Sequence, residues 1–393
     1  MSAALARARP SRPTRVLHVS RVGFLGGAER VMLTLADGLD RHGFEAVIAC
    51  PGGGTLEQAA QAKGIAVVPV PLDRMRLTLN PAALAQYLRA WSEGSATLER
   101  IAVEQGIELI HTHHPVGALY ARKAARRLGI PLVLHVHDGP PASLPYRNLL
   151  RRAASDASLV VCVSEAARSV LAASRGDLGK ARIVANPVDP IFLEGEVRPS
   201  AEVAGPGPNI GIFGVVEPRK GQDVFVEAAA LLARSHPEAR FWIVGGAPHD
   251  DKRDFLRRVE ALVGARGLGT RVTVTGHRDD VPALMKAMDV VVSASVSHES
   301  FGMVLAEAMA LGRPVVTTAV GGTVEVVTDG VTGRVVPIRD PGALAAAIEA
   351  SLNGATGGTA EAARAEARAR FAPAVLQERV VALYEGALGR PGG

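Results

Sequence analysis

The sequence is poor in aromatic residues and cysteines and lacks a long apolar segment. Phe, Trp and Tyr make up 4% of its 393 residues, too few for the stacked aromatic platforms that hold single-stranded nucleic acid. No apolar run approaches the roughly 18 residues of a membrane-spanning helix, and none follows the N-terminal arginines as in a secretory signal. Cys50 and Cys162 lie within apolar runs, as buried thiols of a reducing compartment do. We therefore expect a cytoplasmic globular protein with no nucleic-acid partner.

Alternating β-type and helical segments predict two α/β domains. Short β-rich runs, turns and helical stretches alternate from Val16 to Val184, and the alternation restarts at Asn209. Strands that alternate with helices form parallel crossovers, so we predict two Rossmann-like, doubly wound parallel sheets that face a cleft. The predicted segments are a disordered leader (1–13), an N-terminal domain (14–197), a linker (198–208), a C-terminal domain (209–371) and a C-terminal helix (372–393) that crosses back to the N-terminal domain.

A glycine pair opens the first predicted helix. In Gly26-Gly27-Ala28-Glu29 the glycines let backbone N–H groups approach a phosphate at the positive end of the helix. The pair alone is equally typical of an ordinary turn. The G-x-G-x-x-G spacing of dinucleotide-binding enzymes is missing here and after Asn209–Phe213, which disfavours an oxidoreductase.

The loop that opens the C-terminal domain carries two adjacent cations. Arg219 and Lys220 precede a helix start in the segment 214–221. Both cations and the helix dipole then act on the same place, which suits an anion with more than one charge, such as a diphosphate. The alternative is a solvated Arg-Lys pair in a turn.

The most specific segment has two acidic residues around a helix start. Glu299 lies in a loop at a strand end, Ser300 and Gly302 follow, and Glu307 lies about one turn into an otherwise apolar helix. A carboxylate in such a helix costs desolvation energy unless it binds a hydroxyl or a cation. Carboxylates also accept two hydrogen bonds from a ribose or sugar diol. The alternative is a Glu307 side chain that reaches solvent.

This segment resembles the E-x7-E signature of family 4 retaining glycosyltransferases, which have the GT-B fold. Glu299, Ser300, Phe301, Gly302 and Glu307 carry the match. The resemblance covers nearly the whole chain past residue 14. Its other matching positions are Gly26-Gly27-Ala28-Glu29, Ser164-Glu165, Asn186-Pro187-Val188-Asp189, Pro218, Lys220, Gly221, Gly245-Gly246, Gly276, Gly312, Pro314, Gly321-Gly322 and Gly330-Val331-Thr332-Gly333.

The resemblance implies a role for each matching residue. The N-terminal domain binds the acceptor, and the C-terminal domain binds the nucleotide sugar. Lys220 contacts the donor diphosphate, Glu299 the transferred sugar and Glu307 the ribose hydroxyls. The implied donor-binding set is Gly26, Gly27, Arg219, Lys220, Glu299, Ser300, Phe301, Gly302, Met303 and Glu307. The family usually has an arginine at the position of Val215, so one phosphate-binding cation is missing, and Arg219 is the candidate replacement.

The implied activity is transfer of a sugar from a UDP- or GDP-sugar to a hydroxyl acceptor on a glycan, glycolipid or natural product, with retention of anomeric configuration. No Asp-x-Asp motif is present, and protein cations carry the charge, so we expect no cofactor and no metal. Two alternatives stand beside this interpretation, a hydrolysing sugar-nucleotide epimerase and a catalytically silent sugar-nucleotide-binding protein.

Five histidines fall at the ends of two predicted strands. They are His111, His113, His114, His135 and His137. Their spacing is compatible with zinc. Of the carboxylate and cysteine ligands that would complete such a site, only Asp138 lies nearby. This favours hydrogen-bonded or sugar-binding imidazoles. The resemblance places His137 near the reacting centre, and with Lys220 and Glu299 it completes the predicted catalytic set.

The N-terminal half is the basic half. Basic side chains outnumber acidic ones in residues 1–195, and the remainder is slightly acidic. A short basic amphipathic helix is predicted at Tyr146–Ala153. It is interpreted either as a peripheral contact with anionic lipid at the inner face of the membrane or as a solvated helix face. The sequence does not give the oligomeric state.

Overall fold

The structure is a computed structural model that describes residues 12–72, 80–137, 143–203, 205–248, 250–354 and 360–390. Residues 1–11 of the predicted leader therefore lie outside the described residues. The chain forms two compact units. Unit 1 comprises residues 1–163, 168–184 and 373–393, and unit 2 comprises residues 164–167 and 185–372.

Unit 1 is built on a parallel sheet of seven strands. The strands are β1 (Thr14–Val19), β2 (Phe44–Cys50), β3 (Ala66–Pro69), β4 (Leu109–Thr112), β5 (Leu132–Val136), β6 (Leu159–Cys162) and β7 (Ala181–Ile183). Their order in the sheet is β3-β2-β1-β4-β5-β6-β7, so the winding reverses between β1 and β4. In open α/β sheets, ligands bind beyond the carboxyl ends of the strands at such a reversal.

Helices connect these strands. They are α1 (Gly27–Ala36), α2 (Thr55–Ala62), α3 (Pro81–Glu104), α4 (Pro115–Leu128), α5 (Leu144–Asp156) and α6 (Glu165–Ala173). Their ends follow local sequence rules. The ring of His114 accepts a hydrogen bond from the Val116 N–H at 3.1 Å at the start of α4, Pro115 takes the first helical position, and Gly129 ends the helix at φ +65°.

The remaining helices follow α6 along the chain. They are α7 (Pro190–Leu193), α8 (Gln222–Ser235), α9 (Asp250–Ala265), α10 (Val281–Lys286), α11 (Met303–Ala310), α12 (Thr323–Val326), α13 (Pro341–Leu352), α14 (Ala360–Phe371) and α15 (Pro373–Ala387).

The last helix of the chain, α15, belongs to unit 1. Leu376, Val380 and Tyr384 of α15 lie in one core cluster with residues of β1, β4 and β5. Each such buried side chain contributes about 1.5–3 kcal/mol, so α15 is an integral part of this core.

Unit 2 has a parallel sheet of six strands. The strands are β8 (Asn209–Phe213), β9 (Arg240–Val244), β10 (Val272–Gly276), β11 (Val290–Ser293), β12 (Val315–Thr318) and β13 (Arg334–Val336). Their order is β10-β9-β8-β11-β12-β13, and the winding reverses between β8 and β11. The strands are rich in valine and isoleucine and form the core with α8, α9 and α13, as expected of parallel strands covered on both faces. The prediction of two doubly wound parallel sheets is confirmed.

Candidate active site

The acidic and basic residues singled out in the sequence meet in unit 2. Arg219 and Lys220 lie in the loop that follows β8, and Glu299 lies in the loop that follows β11. The two strands are neighbours in the sheet, and the winding reverses between them. The topology thus gathers these side chains where an open α/β sheet binds its ligand.

Glu299 is held by both cations. The Lys220 Nζ donates to Glu299 Oε2 at 2.5 Å, and the Arg219 Nη1 lies 3.3 Å from the same oxygen. The Ser295 hydroxyl also donates to it, at 3.3 Å. Only 12% of the Glu299 side chain is exposed, so these charge-assisted bonds act in a partly desolvated site where they are strong.

A second carboxylate, which sequence reasoning missed, extends this network. Glu217 bonds Arg219 at 2.6 Å and Lys252 at 2.8 Å. The network therefore contains three cations and two carboxylates, which leaves one positive charge for an anion. Glu217 lies in the same loop as Arg219 and could have been included from the sequence, but Lys252 and Ser295 join only through the tertiary fold.

Both carboxylates of the network are ionised near neutral pH. Burial acts to raise the pKa of Glu299, but the Lys220 cation, with further help from Arg219, outweighs it, and the pKa lies below its ordinary value. The pKa of Glu217 is also lowered, because Lys252 and Arg219 together outweigh its burial. Glu299 is thus a fixed anion that accepts hydrogen bonds.

Two glycines allow the loops of the site to approach one another closely. Gly221 has φ +69°, and a Cβ atom there would lie 2.0 Å from the Ala294 carbonyl oxygen. Gly321 has φ +56°, and a Cβ atom there would lie 2.1 Å from the Glu299 carbonyl oxygen. No residue with a side chain fits either position without displacing backbone.

The other predicted donor-binding residues surround the start of α11. Gly302, at φ +101°, is the N-cap residue of the helix and supplies no side-chain cap. Phe301 is buried and packs edge-on against Phe371, with ring centroids 5.5 Å apart. Met303 and Glu307 are partly buried, and Glu307 lies one turn along the helix. The helix start thus offers backbone N–H groups and a carboxylate on one element.

Residues 164–167 also belong to unit 2 and contact this loop. The Ser164 hydroxyl donates to the Ser300 carbonyl oxygen at 2.5 Å. The Glu325 carboxylate accepts hydrogen bonds from the N–H groups of Glu165, at 2.7 Å, and Ala166, at 2.9 Å. The Ser164-Glu165 motif therefore supports the loop that carries Ser300.

Gly26, Gly27 and His137 lie in unit 1. Gly26 precedes α1 in extended conformation. The Glu29 carboxylate accepts a hydrogen bond from the Ser20 hydroxyl at 3.0 Å, and its burial raises its pKa. The glycine pair thus lies at a helix start beyond β1, one of the two strands at the winding reversal of this sheet.

A cluster of histidines, all of them buried except the partly exposed His137, lies at the carboxyl ends of β1, β4 and β5. His135 and His137 stack with ring centroids 4.0 Å apart, as do His111 and His113 at 4.3 Å. His113 Nδ1 lies 3.1 Å from His137 Nε2. Burial lowers the pKa of His137 to about 3, so its ring is neutral at neutral pH.

Sequence reasoning missed one histidine of this cluster and a tyrosine that contacts it. His18 is paired in register with His111, and its Nδ1 lies 3.1 Å from His113 Nε2. The Tyr384 hydroxyl of α15 lies 2.5 Å from His111 Nδ1. Parallel register of β1 with β4 could have suggested His18, but nothing local points to Tyr384. Asp138 lies outside the described residues.

The predicted basic helix is α5, and its membrane contact stays a prediction. Arg151 and Arg152 are exposed, and Leu150 is buried, as in any amphipathic surface helix. Among the helices of the described residues, none is both long and apolar enough to cross a bilayer.

Similar proteins were found by sequence and by structure. The family model for Glycosyltransferase Family 4 matches residues 25–192, and that for Glycosyl transferases group 1 matches residues 207–353. The chain is 29% identical over 328 residues to D-inositol 3-phosphate glycosyltransferase of Mycobacterium marinum, with 78% of this chain and 69% of the relative covered. The enzyme of the same name from Mycobacterium bovis is 28% identical over 394 residues, with 93% and 80% covered.

A solved structure gives the same result. The crystal structure of Anabaena HepE in complex with UDP-glucose superposes with a TM-score of 0.78 at 25% identity and covers 95% of this chain and 99% of that one. Both halves of the sequence thus match glycosyltransferase families, and the sheet topology agrees. The chain belongs to the family 4, group 1 glycosyltransferases.

Proposed function

We propose that the protein transfers a sugar from a UDP- or GDP-sugar to a hydroxyl acceptor with retention of anomeric configuration and without a metal ion. The observation that carries the proposal is the network of Lys220, Arg219 and Glu299 beside the start of α11. Its excess positive charge suits a diphosphate, the Glu299 carboxylate suits sugar hydroxyls, and the Glu307 carboxylate of α11 suits ribose hydroxyls. The HepE structure, which was solved in complex with UDP-glucose, supports a nucleotide-sugar donor.

In the proposed reaction the diphosphate is the leaving group. The bond between the anomeric carbon and the phosphate oxygen breaks, and the acceptor oxygen bonds to the same face of that carbon. The acceptor proton passes to a phosphate oxygen of the departing nucleoside diphosphate. Lys220, Arg219 and the N–H groups at the start of α11 stabilise the developing negative charge, so no metal is needed there.

The carboxylates have binding roles in this scheme. Glu299 accepts hydrogen bonds from the transferred sugar, and Glu307 accepts them from the ribose. In the resting protein Lys220 and Arg219 neutralise Glu299, and the donor diphosphate then joins the same cations. His137 of unit 1 is the proposed hydrogen-bonding partner of the transferred sugar.

The donor is identified by ligand-induced stabilisation. We expect one of UDP-, GDP- and ADP-sugars to raise the melting temperature more than the others do, because a ligand that binds the folded state stabilises it in proportion to its occupancy. The preferred donor is then incubated with a hydroxyl acceptor panel that includes inositol phosphate, named in the mycobacterial relatives, and the product anomer is assigned by NMR.

Four outcomes would contradict the proposal. A product of inverted configuration refutes retention. Release of nucleoside diphosphate at the full rate without any acceptor indicates the hydrolysing epimerase. Donor binding without turnover on any acceptor indicates a silent sugar-nucleotide-binding protein. Loss of transfer in a chelator would refute metal independence.

A further inference from the structure

Three histidines of unit 1 have the arrangement of a metal chelate. His135 and His137 are two residues apart at the end of β5, so their side chains lie on the same face. His113 directly follows the neighbouring strand β4. One ring nitrogen from each of the three histidines lies within 4.8 Å of the other two. We propose that His113, His135 and His137 bind a divalent transition metal such as Zn²⁺.

The nitrogen positions are close to those of a tetrahedral site. Zn–N bonds of 2.0–2.1 Å put the ligating nitrogens of a tetrahedral centre about 3.3 Å apart. His113 Nδ1 and His137 Nε2 already lie 3.1 Å apart. The His135 nitrogen lies within 4.8 Å of both, so it must approach each by at most about 1.5 Å to reach the tetrahedral spacing.

His135 distinguishes a metal site from an ordinary hydrogen-bonded cluster. The contact between His113 and His137 is equally compatible with a hydrogen bond between neutral rings. His135, however, is fully buried, and neither of its ring nitrogens has a partner among the described residues. Burying a polar group without a partner is costly, and native proteins rarely do so. A metal bond to one nitrogen of His135 removes most of that cost.

A neighbouring histidine fixes the orientation of His113. His113 Nε2 lies 3.1 Å from His18 Nδ1, so its Nδ1 is the nitrogen left for a metal. Metal-binding histidines generally use their second nitrogen in such a hydrogen bond, which sets the ring orientation and the tautomer.

The donor set selects the kind of metal. Three neutral imidazoles suit Zn²⁺, Co²⁺, Ni²⁺ or Cu²⁺ and are poor ligands for Mg²⁺ and Ca²⁺. His137 is partly exposed, whereas His113 and His135 are buried, so the metal enters from the side of His137 and a fourth position is left for water. The proposed hydrogen bond from His137 to the transferred sugar uses the same ring, so metal and sugar would compete for it.

The test is a direct metal titration of the full chain, which does not depend on the proposed transfer. Tag-free protein is stripped with a chelator, dialysed and titrated with Zn²⁺ by calorimetry and with Co²⁺ by visible absorption. We expect one equivalent of each metal to bind, and Co²⁺ to give the intense bands of a four-coordinate centre. The affinity of the variant His135→Leu should fall at least ~100-fold, since even second-shell changes cost 10–100-fold.

Matched variants separate this site from other histidines. Since His135 makes no hydrogen bond among the described residues, His135→Leu should fold normally, which circular dichroism and the metal-free melting temperature report. His277→Leu makes the same change at a side chain that is 84% exposed and should leave metal affinity unchanged. His137→Leu is a second ligand variant, at the exposed side of the site, and should lose affinity as His135→Leu does.

Two results would overturn the proposal. Wild-type protein that binds less metal than one equivalent at micromolar concentrations has no such site, whatever the variants do. Equal affinity in wild type and in either ligand variant places the bound metal elsewhere.

Discussion

The substitution Lys220→Met is the sharpest test of the proposed site. It removes the cation that lies 2.5 Å from Glu299 and keeps an unbranched side chain of similar length. Removing one partner of a buried ion pair costs about 3–5 kcal/mol. Arg219 remains 3.3 Å from the carboxylate and the Lys220 side chain is 20% exposed, so we expect a loss of about 2–3 kcal/mol, after discounting for solvent screening.

This loss should appear both in stability and in function. For a domain of this size each kcal/mol lowers the melting temperature by about 2–4 °C, so the expected shift is about 4–12 °C. Loss of one preorganised hydrogen-bond donor to the leaving group typically lowers kcat by 10²–10³. We expect a loss of this size here, measured as the rate of nucleoside diphosphate release with a productive acceptor. UDP or GDP affinity, measured by calorimetry, should fall at least about tenfold, or 1.4 kcal/mol.

Acidification should reduce the difference between variant and wild type. Lys220 keeps the folded pKa of Glu299 below its ordinary value, and unfolded glutamate titrates near ~4.3. The stabilisation is therefore fully present above about pH 4.3 and is lost as the pH falls through the lower folded pKa. The melting temperatures of wild type and Lys220→Met should converge below about pH 4.

A matched control makes the result interpretable. Lys286 is a partly buried lysine of the same unit whose Nζ donates to the Leu311 carbonyl oxygen at 3.0 Å, outside the candidate site. Lys286→Met should leave donor affinity and kcat unchanged. If Lys220→Met keeps donor affinity and turnover within a few-fold of wild type, the reasoning about the diphosphate site is wrong.

Three further predictions follow from single contacts. Glu307→Gln removes the charge from the proposed ribose acceptor and should raise the donor KM about tenfold with little change in kcat, measured by initial rates; a fall in kcat alone would contradict the ribose role. Gly221→Ala puts a Cβ atom 2.0 Å from the Ala294 carbonyl oxygen and should lower both stability and donor affinity, whereas a fully stable variant would refute the strain. Tyr384→Phe leaves buried His111 without the hydroxyl 2.5 Å away and should cost about 1–3 kcal/mol in urea unfolding; unchanged stability would mean that this bond contributes nothing.

Local patterns account for the fold class and for most of the candidate site. Strand and helix periods, with Gly and Pro between them, predicted two parallel α/β sheets, and the structure has them. Short elements were harder to predict. β13 has only three residues, Arg334–Val336, too few to give a periodic signal. Arg219, Lys220 and Glu299 were found because charged residues in loops after apolar strands stand out locally.

What the sequence determined by itself was the alternation of elements and the chemistry of the loops, because both depend on neighbours along the chain. Only the tertiary structure decided which distant side chains meet. Lys252 joins Glu217 from a separate helix, and Tyr384 reaches His111 across 273 positions. Such contacts depend on packing between elements far apart in the chain, and the local sequence carries no trace of them.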